Sequence, residues 1–237
     1  MKRICKAFLV LLAILPVSCS KNNTNPDIVY FATVTFRPLE DGKYYLKQDD
    51  STALIVLNKD LQKYPFEKGV EKRAFISYRV EKQEASAVPN YKYTKAIYIG
   101  AMDTIYTKHP VSAAGVDPSV FGNDVLGLYL GRDNFPTTLV EDGYLNVSFE
   151  MPMGNFGIIH EINLVTGTNP DDPYLVELRH DAKGDVYVTS SRNLVNFSLK
   201  DLPDTKGETV PLTVRWRSMV TGEFETVKFD YCSRTDW

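Results

Sequence analysis

The chain has 237 residues, of which 43% are hydrophobic and 24% are charged, and its formal net charge at pH 7 is −3. These values are ordinary for globular proteins and provide enough material for one large or two small domains. Neither half has the concentrated basic stripe that binds nucleic-acid phosphates, so no nucleic-acid partner is expected.

The first 18 residues are organised like a secretory signal peptide. Basic residues precede an apolar core over about 7–15, which is far shorter than the roughly 20 apolar residues that span a bilayer as a helix. The segment Val17-Ser18-Cys19 resembles a bacterial lipobox, in which the cysteine is acylated and becomes the mature N-terminus, although Pro16 stands where a stricter lipobox has Leu. We predict a signal peptide over 1–18 and a lipid on Cys19; a chance cysteine behind a plain signal peptide is the alternative.

Residues 19–27, which begin at the predicted lipidated cysteine, are expected to form a short polar tether. Each buried lipid methylene contributes about 0.8 kcal/mol, so two or three acyl chains would hold the protein firmly at a membrane. An acidic cluster just after the cysteine tends to accompany export to the cell surface, but here the first acidic residue is Asp27. We therefore expect a lipid anchor in the outer membrane, on its periplasmic side. The mature chain retains Cys232 as its one further thiol, so its fold must rest on packing and not on a disulfide framework.

The first half of the mature chain has the period-two pattern of β-strands, and we assign it to one domain over 28–108. Turn-forming residues separate the first three strands. Five strands with two early hairpins favour a small, partly open barrel of the OB type, but on pattern alone an open five-stranded sheet that packs on another element fits equally well. The predicted strands are 28–37, 43–48, 52–57, 73–81 and 92–106.

The second half also alternates, and we predict an antiparallel β-sandwich over 119–237 with one face of each sheet in water. A breaker-rich segment, 109–118, separates it from the first domain and coincides with a change in charge. Residues 27–108 carry 13 basic and 11 acidic side chains, whereas 109–237 carry 10 and 19. The predicted strands are about 125–131, 145–150, 157–165, 174–179, 194–200, 210–217 and 224–231.

Several long strings resemble the family of NigD-like lipoproteins. The first half carries DGKYYLKQDDSTALIVLNKDLQKYPFEKGVEKRAFISYRV and YIGAMDTIYTK; the second carries GYLNVSFEMPMGNFGIIHEINLV, YLVELRHDAKGD and LVNFSLKDL. Small departures are Ser51, where the family commonly has Gly, and Met102 before Asp103, where Asn is frequent. The resemblance implies an N-terminal OB-like domain and a C-terminal β-sandwich. It also implies a link to bacteriocin immunity, because the family is named after a component of a bacteriocin operon.

Motifs of catalysis are missing from the sequence, since it has no G-x-S-x-G, phosphate-binding glycine loop, H-E-x-x-H or C-x-x-C. His160 and His180 could converge as metal ligands or as an acid/base pair, but each shares its predicted face with apolar residues, so we expect structural histidines. The paired acidic residues fall between strands, where short acidic side chains stabilise turns. We therefore predict no catalytic residues, no metal, no cofactor and no enzymatic activity.

The residues favoured for binding are aromatic side chains on the polar faces of the early strands. Phe31, Tyr45, Phe75 and Tyr98 share those faces with Lys, Ser, Thr or Arg. Exposed aromatics on an OB barrel are suited to stacking on sugars or peptides. The alternative is that these four side chains cover the joint with the second domain.

Together these features predict a lipid-anchored envelope protein that binds or shields a protein partner, as in bacteriocin immunity. A periplasmic or surface binder of glycans or peptides in nutrient uptake is the alternative. An envelope hydrolase is disfavoured, because no carboxylate pair is placed for it.

Overall fold

The computed structural model describes residues 28–67, 70–82, 85–131, 136–186 and 188–236. The predicted signal peptide, Cys19 and the tether lie outside the described residues. Within the described part, the helical segments are short 3-10 turns at Lys59–Leu61 and Pro118–Phe121, and neither is long or apolar enough to cross a membrane.

Five strands of the first half close into a barrel in the order β1-β2-β3-β5-β4. The predicted barrel is confirmed, and closure rules out the open sheet that the pattern also allowed. The strands are β1 (Tyr30–Pro38), β2 (Tyr44–Lys47), β3 (Thr52–Val56), β4 (Arg73–Val80) and β5 (Tyr93–Ile105).

Strict alternation of apolar and polar side chains produces the barrel core. Every second residue of β1 from Ala32 to Phe36 points inward and is buried, and β4 contributes Ala74, Ile76 and Tyr78 in the same way. Because inward and outward residues alternate along each strand, the polar or aromatic residues between them face outward. The sequence of each strand therefore fixes which side chains the barrel displays.

The second half forms a β-sandwich of two sheets. The first sheet has the order β6-β13-β10-β8, with β9 also paired to β10, and the second has the order β15-β14-β12-β11-β7. Most pairs are antiparallel, but β13 with β6, β11 with β7, and β12 with β14 are parallel. The strands are β6 (Thr107–Lys108), β7 (Val111–Ser112), β8 (Gly127–Leu128), β9 (Leu139–Glu141), β10 (Tyr144–Met153), β11 (Glu161–Thr166), β12 (Leu175–Asp181), β13 (Thr189–Ser198), β14 (Val210–Arg217) and β15 (Phe224–Tyr231).

The sandwich core lies between the inner faces of these sheets. Leu145, Val147 and Phe149 of β10 face Leu212, Val214 and Trp216 of β14 within one buried cluster. The predicted linker, 109–118, contains β7, which pairs with β11. This stretch therefore contributes a strand to the sandwich.

A buried ionic cluster joins the barrel to the sandwich at the turn between β9 and β10. Asp142, which has a left-handed backbone (φ 52°), lies in this turn, and its side chain is 1% exposed. Its carboxylate accepts a 2.6 Å hydrogen bond from Thr35 and lies 2.7 Å from Lys47 Nζ and 3.1 Å from Arg37 Nη2. Because these partners come from β1 and β2, the two domains are held together by charge and hydrogen bonding.

Candidate binding face on the barrel

Three strands of the barrel display an aromatic face to solvent. Phe31 lies opposite Ser77, and Arg79 lies opposite Tyr98, so β1, β4 and β5 share this outer surface. The rings of Phe31 and Phe75 stack, with centroids 6.1 Å apart and planes at 16°. Phe31 is 53% exposed and Tyr98 46% exposed. Three of the four aromatic residues predicted for binding therefore lie on one face.

A groove of about 310 Å³ lies at one end of this face. Its wall includes Val29, Arg79, Tyr98 and Gly100. Gly100 lies at an irregularity in the pairing of β4 with β5, and a Cβ placed on it would come 3.2 Å from the Ser77 hydroxyl oxygen. Glycine at this bulge therefore avoids crowding at the groove floor.

Tyr45 lies elsewhere, at the end of the barrel nearer the ionic joint. It is paired in register with Arg37 and is half-buried. Its ring packs edge-on against Tyr91, with centroids 5.4 Å apart and hydroxyl oxygens separated by 3.5 Å. Burial is the largest cause that raises the pKa of Tyr91, and the hydrogen bond with Tyr45 adds to it. Tyr45 thus belongs to a separate aromatic pair and not to the face that contains Phe31.

The joint between the domains is made mainly of charged and polar side chains. Arg73 of the barrel is 1% exposed; it donates to Thr35 of the same barrel at 2.6 Å and bridges to the sandwich through Asn146 at 2.9 Å and Glu141 at 3.3 Å. Phe31 and Tyr98 remain exposed, so the second domain does not cover them. These aromatic side chains are accessible to a partner.

The two histidines of the sandwich do converge, in a chain of hydrogen bonds. His180 Nδ1 lies 2.8 Å from the Val125 carbonyl, which can only accept, so this nitrogen donates. His180 Nε2 then accepts from His160 Nδ1 at 2.9 Å, and His160 Nε2 lies 3.1 Å from Asp185. Backbone amides of Gly154 and Asn155 also bond to Asp185 and are the main causes that lower its pKa to about 2.

This histidine chain ties two loops to strand β12. His160 contacts His180 through one ring nitrogen and Asp185 through the other. Burial is the main cause that lowers the pKa of His180, which fits its role as a neutral acceptor. All four ring nitrogens contact protein atoms, as expected of histidines that hold a fold together. Among the described residues no cluster of three or more potential ligands is arranged to hold a metal ion.

Sequence reasoning missed the role of Asp142. The sequence pattern identifies Glu141 and Asp142 only as an acidic pair between two strands, and the two do lie at a turn, but Asp142 is also the centre of the joint. The available signal was the row of Thr35, Arg37 and Lys47 on the outer faces of neighbouring strands. Glu71 and Asp50 of the barrel segment contact Arg37 and Lys47, so a count of charges along the sequence does not reveal the need for Asp142.

Comparison with known proteins supports this architecture. Residues 118–231 match the model of the NigD-like C-terminal beta sandwich domain. A protein of known structure from Parabacteroides distasonis, described as toxin related, is 28% identical, with a TM-score of 0.64 over 87% of this chain and 94% of that one. Among curated proteins, none matches the sequence.

Two more distant structures share the fold. A NigD-like immunity protein from Bacteroides caccae is 18% identical, with a TM-score of 0.60 over 87% of this chain and 99% of that one. A protein from Bacteroides fragilis, described as a lipoprotein, is 12% identical, with a TM-score of 0.60 over 88% of this chain and 100% of that one. The whole two-domain arrangement therefore recurs in these proteins.

Proposed function

Residues 118–231 belong to the family of NigD-like C-terminal beta sandwich domains, and from this premise we propose that the chain is an immunity-type binding protein that shields a protein partner at the cell envelope. The observation that carries the proposal is the aromatic face of the barrel, with Phe31 stacked on Phe75 and Tyr98 exposed beside them. One similar structure is named an immunity protein and another is described as toxin related. Those descriptions support a binding role and identify no partner.

The chemistry of this face suits a protein interface. Energetically dominant contact residues are enriched in Tyr, Trp and Arg, and an exposed group of apolar side chains commonly marks a contact site. Tyr98 and Arg79 lie next to each other across β4 and β5, and Phe31 adds an apolar ring. The stacked pair is ordered before binding, which lowers the entropy cost of association.

The proposal includes an envelope location. We infer that Cys19 is acylated and that the protein is anchored to the outer membrane, facing the periplasm. Support comes from the lipobox-like segment and from a similar structure described as a lipoprotein. Mass spectrometry of the mature N-terminus tests this inference, because an unmodified Cys19 or cleavage at another position would contradict it.

The partner is tested by site-specific photocrosslinking in living cells. A photoreactive residue at Tyr98 or Phe31 should give one discrete protein adduct, and a control at Val220, which is 88% exposed in the turn between β14 and β15, should not. Phe31→Ala should abolish the Tyr98 adduct. Equal adducts at all three positions would reject the aromatic face as the binding site.

A glycan or peptide binder in nutrient uptake is the second candidate function. The groove beside Tyr98 favours it, because 310 Å³ lies at the small end of the range of ligand pockets. A glycan array probed with the purified protein separates the two candidates. Glycan binding that disappears in Tyr98→Ala would replace the protein-partner proposal, whereas turnover of a ligand would contradict both.

A further inference from the structure

A second cleft, of about 720 Å³, lies where the barrel meets the sandwich. It shares no residue with the aromatic face. The barrel contributes Phe66 and Lys72, the segment that joins the domains contributes Tyr106, and the sandwich contributes Tyr144 and Lys200. This volume lies within the range of about 300–1,000 Å³ that is usual for small-molecule sites, which occur preferentially at domain interfaces.

The charges around this cleft favour an anion. Glu71 is the one carboxylate among its described lining residues, and it is already neutralised. Arg234 contacts both of its oxygens, at 2.7 and 2.6 Å, and Arg37 lies 2.6 Å from one of them. Two lysines, Lys72 and Lys200, also line the cleft. The lining therefore carries a net positive charge.

The walls of the cleft are aromatic and firmly held. Phe66 packs edge-on against the buried ring of Phe36, with centroids 5.1 Å apart. The backbone carbonyl of Tyr106 accepts a 2.9 Å hydrogen bond from the backbone N–H of Asn196. The side chain of Tyr106 is nevertheless 72% exposed. An exposed phenol ring on a fixed backbone offers an apolar surface together with a polar tip. Such a ring is suited to packing against a sugar ring.

A buried amide without a partner lies beside the cleft. Asn196 is 1% exposed, and neither its side-chain nitrogen nor its oxygen has a hydrogen-bond partner among the described residues. It lies two residues before Ser198 on β13 and is paired in register with Thr107, and both of those residues line the cleft. Asn196 does not itself line the cleft, whereas Ser198 and Thr107 do, and a ligand that carries hydroxyl groups can bond to the hydroxyl groups of both.

We propose that the cleft binds an anionic saccharide. Its carboxylate or phosphate lies between Lys72 and Lys200, its sugar ring packs on Tyr106, and its hydroxyl groups bond to Ser198 and Thr107. This site goes beyond the proposed function, because it uses different residues and takes a small ligand in place of a protein.

The test is isothermal titration of the purified protein with trigalacturonate, mannose 6-phosphate and neutral maltotriose. At least one anionic probe should bind at least about tenfold more tightly than maltotriose, a difference of about 1.4 kcal/mol. The two anionic probes separate carboxylate from phosphate recognition. The double variant Lys72→Ala/Lys200→Ala and the single variant Tyr106→Ala should each weaken that binding at least about tenfold. Lys206→Ala, which removes an exposed lysine that does not line the cleft, should leave it unchanged.

Three results would overturn the proposal: no binding of either anionic probe, equal binding of maltotriose, or binding that survives both cleft variants. Thermal unfolding of each variant shows whether it is folded, and the lysine variants alter side chains that are not fully buried. Tyr98→Ala should retain anion binding. Failure at the cleft is therefore distinguishable from failure of the aromatic face.

Discussion

Thr35 and Asp142 are 107 residues apart in sequence, and the Thr35 hydroxyl donates a 2.6 Å hydrogen bond to the Asp142 carboxylate across the joint. Burial alone would raise the pKa of Asp142. The hydrogen bonds from Lys47 and Thr35 and the charges of Arg37 and Arg234 outweigh burial and hold this pKa below its usual value of 3.8. The joint therefore depends on an ionised carboxylate at its centre.

Replacing Asp142 with Asn should uncouple the domains. Asn tolerates the left-handed backbone at this position, so the turn is retained while the charge is lost. Lys47, Arg37 and Arg234 would then lose the buried counter-ion that they share and retain Asp50 and Glu71, so we expect the free energy of unfolding to fall by about 3 kcal/mol. Urea unfolding should show two separated transitions. Asp171→Asn, at an exposed turn, is the matched control and should unfold like the wild type.

The titration of Glu141 should make the stability of the fold fall with rising pH, whereas the titration of Asp142 makes it rise. Burial is the main cause that raises the pKa of Glu141 from 4.5 to about 7, and the charge of Arg73 only partly opposes it. The folded protein therefore holds a proton that the unfolded chain releases above pH 4.5, and stability falls as the pH rises from 4.5 to about 7. In Glu141→Gln this decline should be absent from urea unfolding measured across that window. An unchanged profile would show that Glu141 titrates normally.

His180 should make the sandwich sensitive to acid. Its pKa is lowered in the folded state, so the unfolded chain takes up protons first, and stability is lost as the pH falls below 6.5. Protonation would also remove the Nε2 acceptor that His160 uses. We expect the amides of the loop 154–160 to have lower protection factors, which correct for the intrinsic pH dependence of exchange, at about pH 5 than at about pH 8. His180→Gln, made in the Glu141→Gln background to remove the opposing titration, should show low protection factors at both pH values.

Gly122 should be intolerant of any side chain. Its φ is +111°, and a Cβ on it would lie 2.3 Å from the backbone carbonyl oxygen of His180. Gly184 also has a positive φ, of +76°, but a Cβ there would meet nothing within 4 Å. Gly184→Ala should therefore cost only the backbone strain of about 1–2 kcal/mol. Gly122→Ala should cost clearly more, and equal thermal unfolding midpoints for the two variants would contradict the close approach.

The barrel could be predicted well because each of its strands alternates and is bounded by turn residues. The predicted strand 73–81 differs from Arg73–Val80 by one residue, and 92–106 extends Tyr93–Ile105 by one residue at each end. Short strands such as β6 and β7 were not predicted, because two residues are too few to show a period.

The burial of a polar sheet face could not be predicted from alternation. Asn146 and Ser148 lie on the face of β10 that the pattern assigns to water, yet they are 3% and 0% exposed. Period two identifies a polar face, but it does not reveal what covers that face. The same limit explains Tyr45: its outward direction was predictable, whereas its separation from Phe31 depends on how the barrel closes.

The position of β1 directly after the predicted tether affects how the aromatic face would meet a partner. The described chain enters β1 at Tyr30, directly beside Phe31, so the aromatic face lies at the end of the barrel that continues into the tether. A lipid on Cys19 would keep Phe31 within roughly 40 Å of the bilayer, because the twelve residues from Cys19 to Phe31 reach no farther when extended. Encounter would then become a search in two dimensions. Partners that themselves reside in or enter through the membrane would meet a high effective concentration of binding sites, and partners free in the periplasm would not.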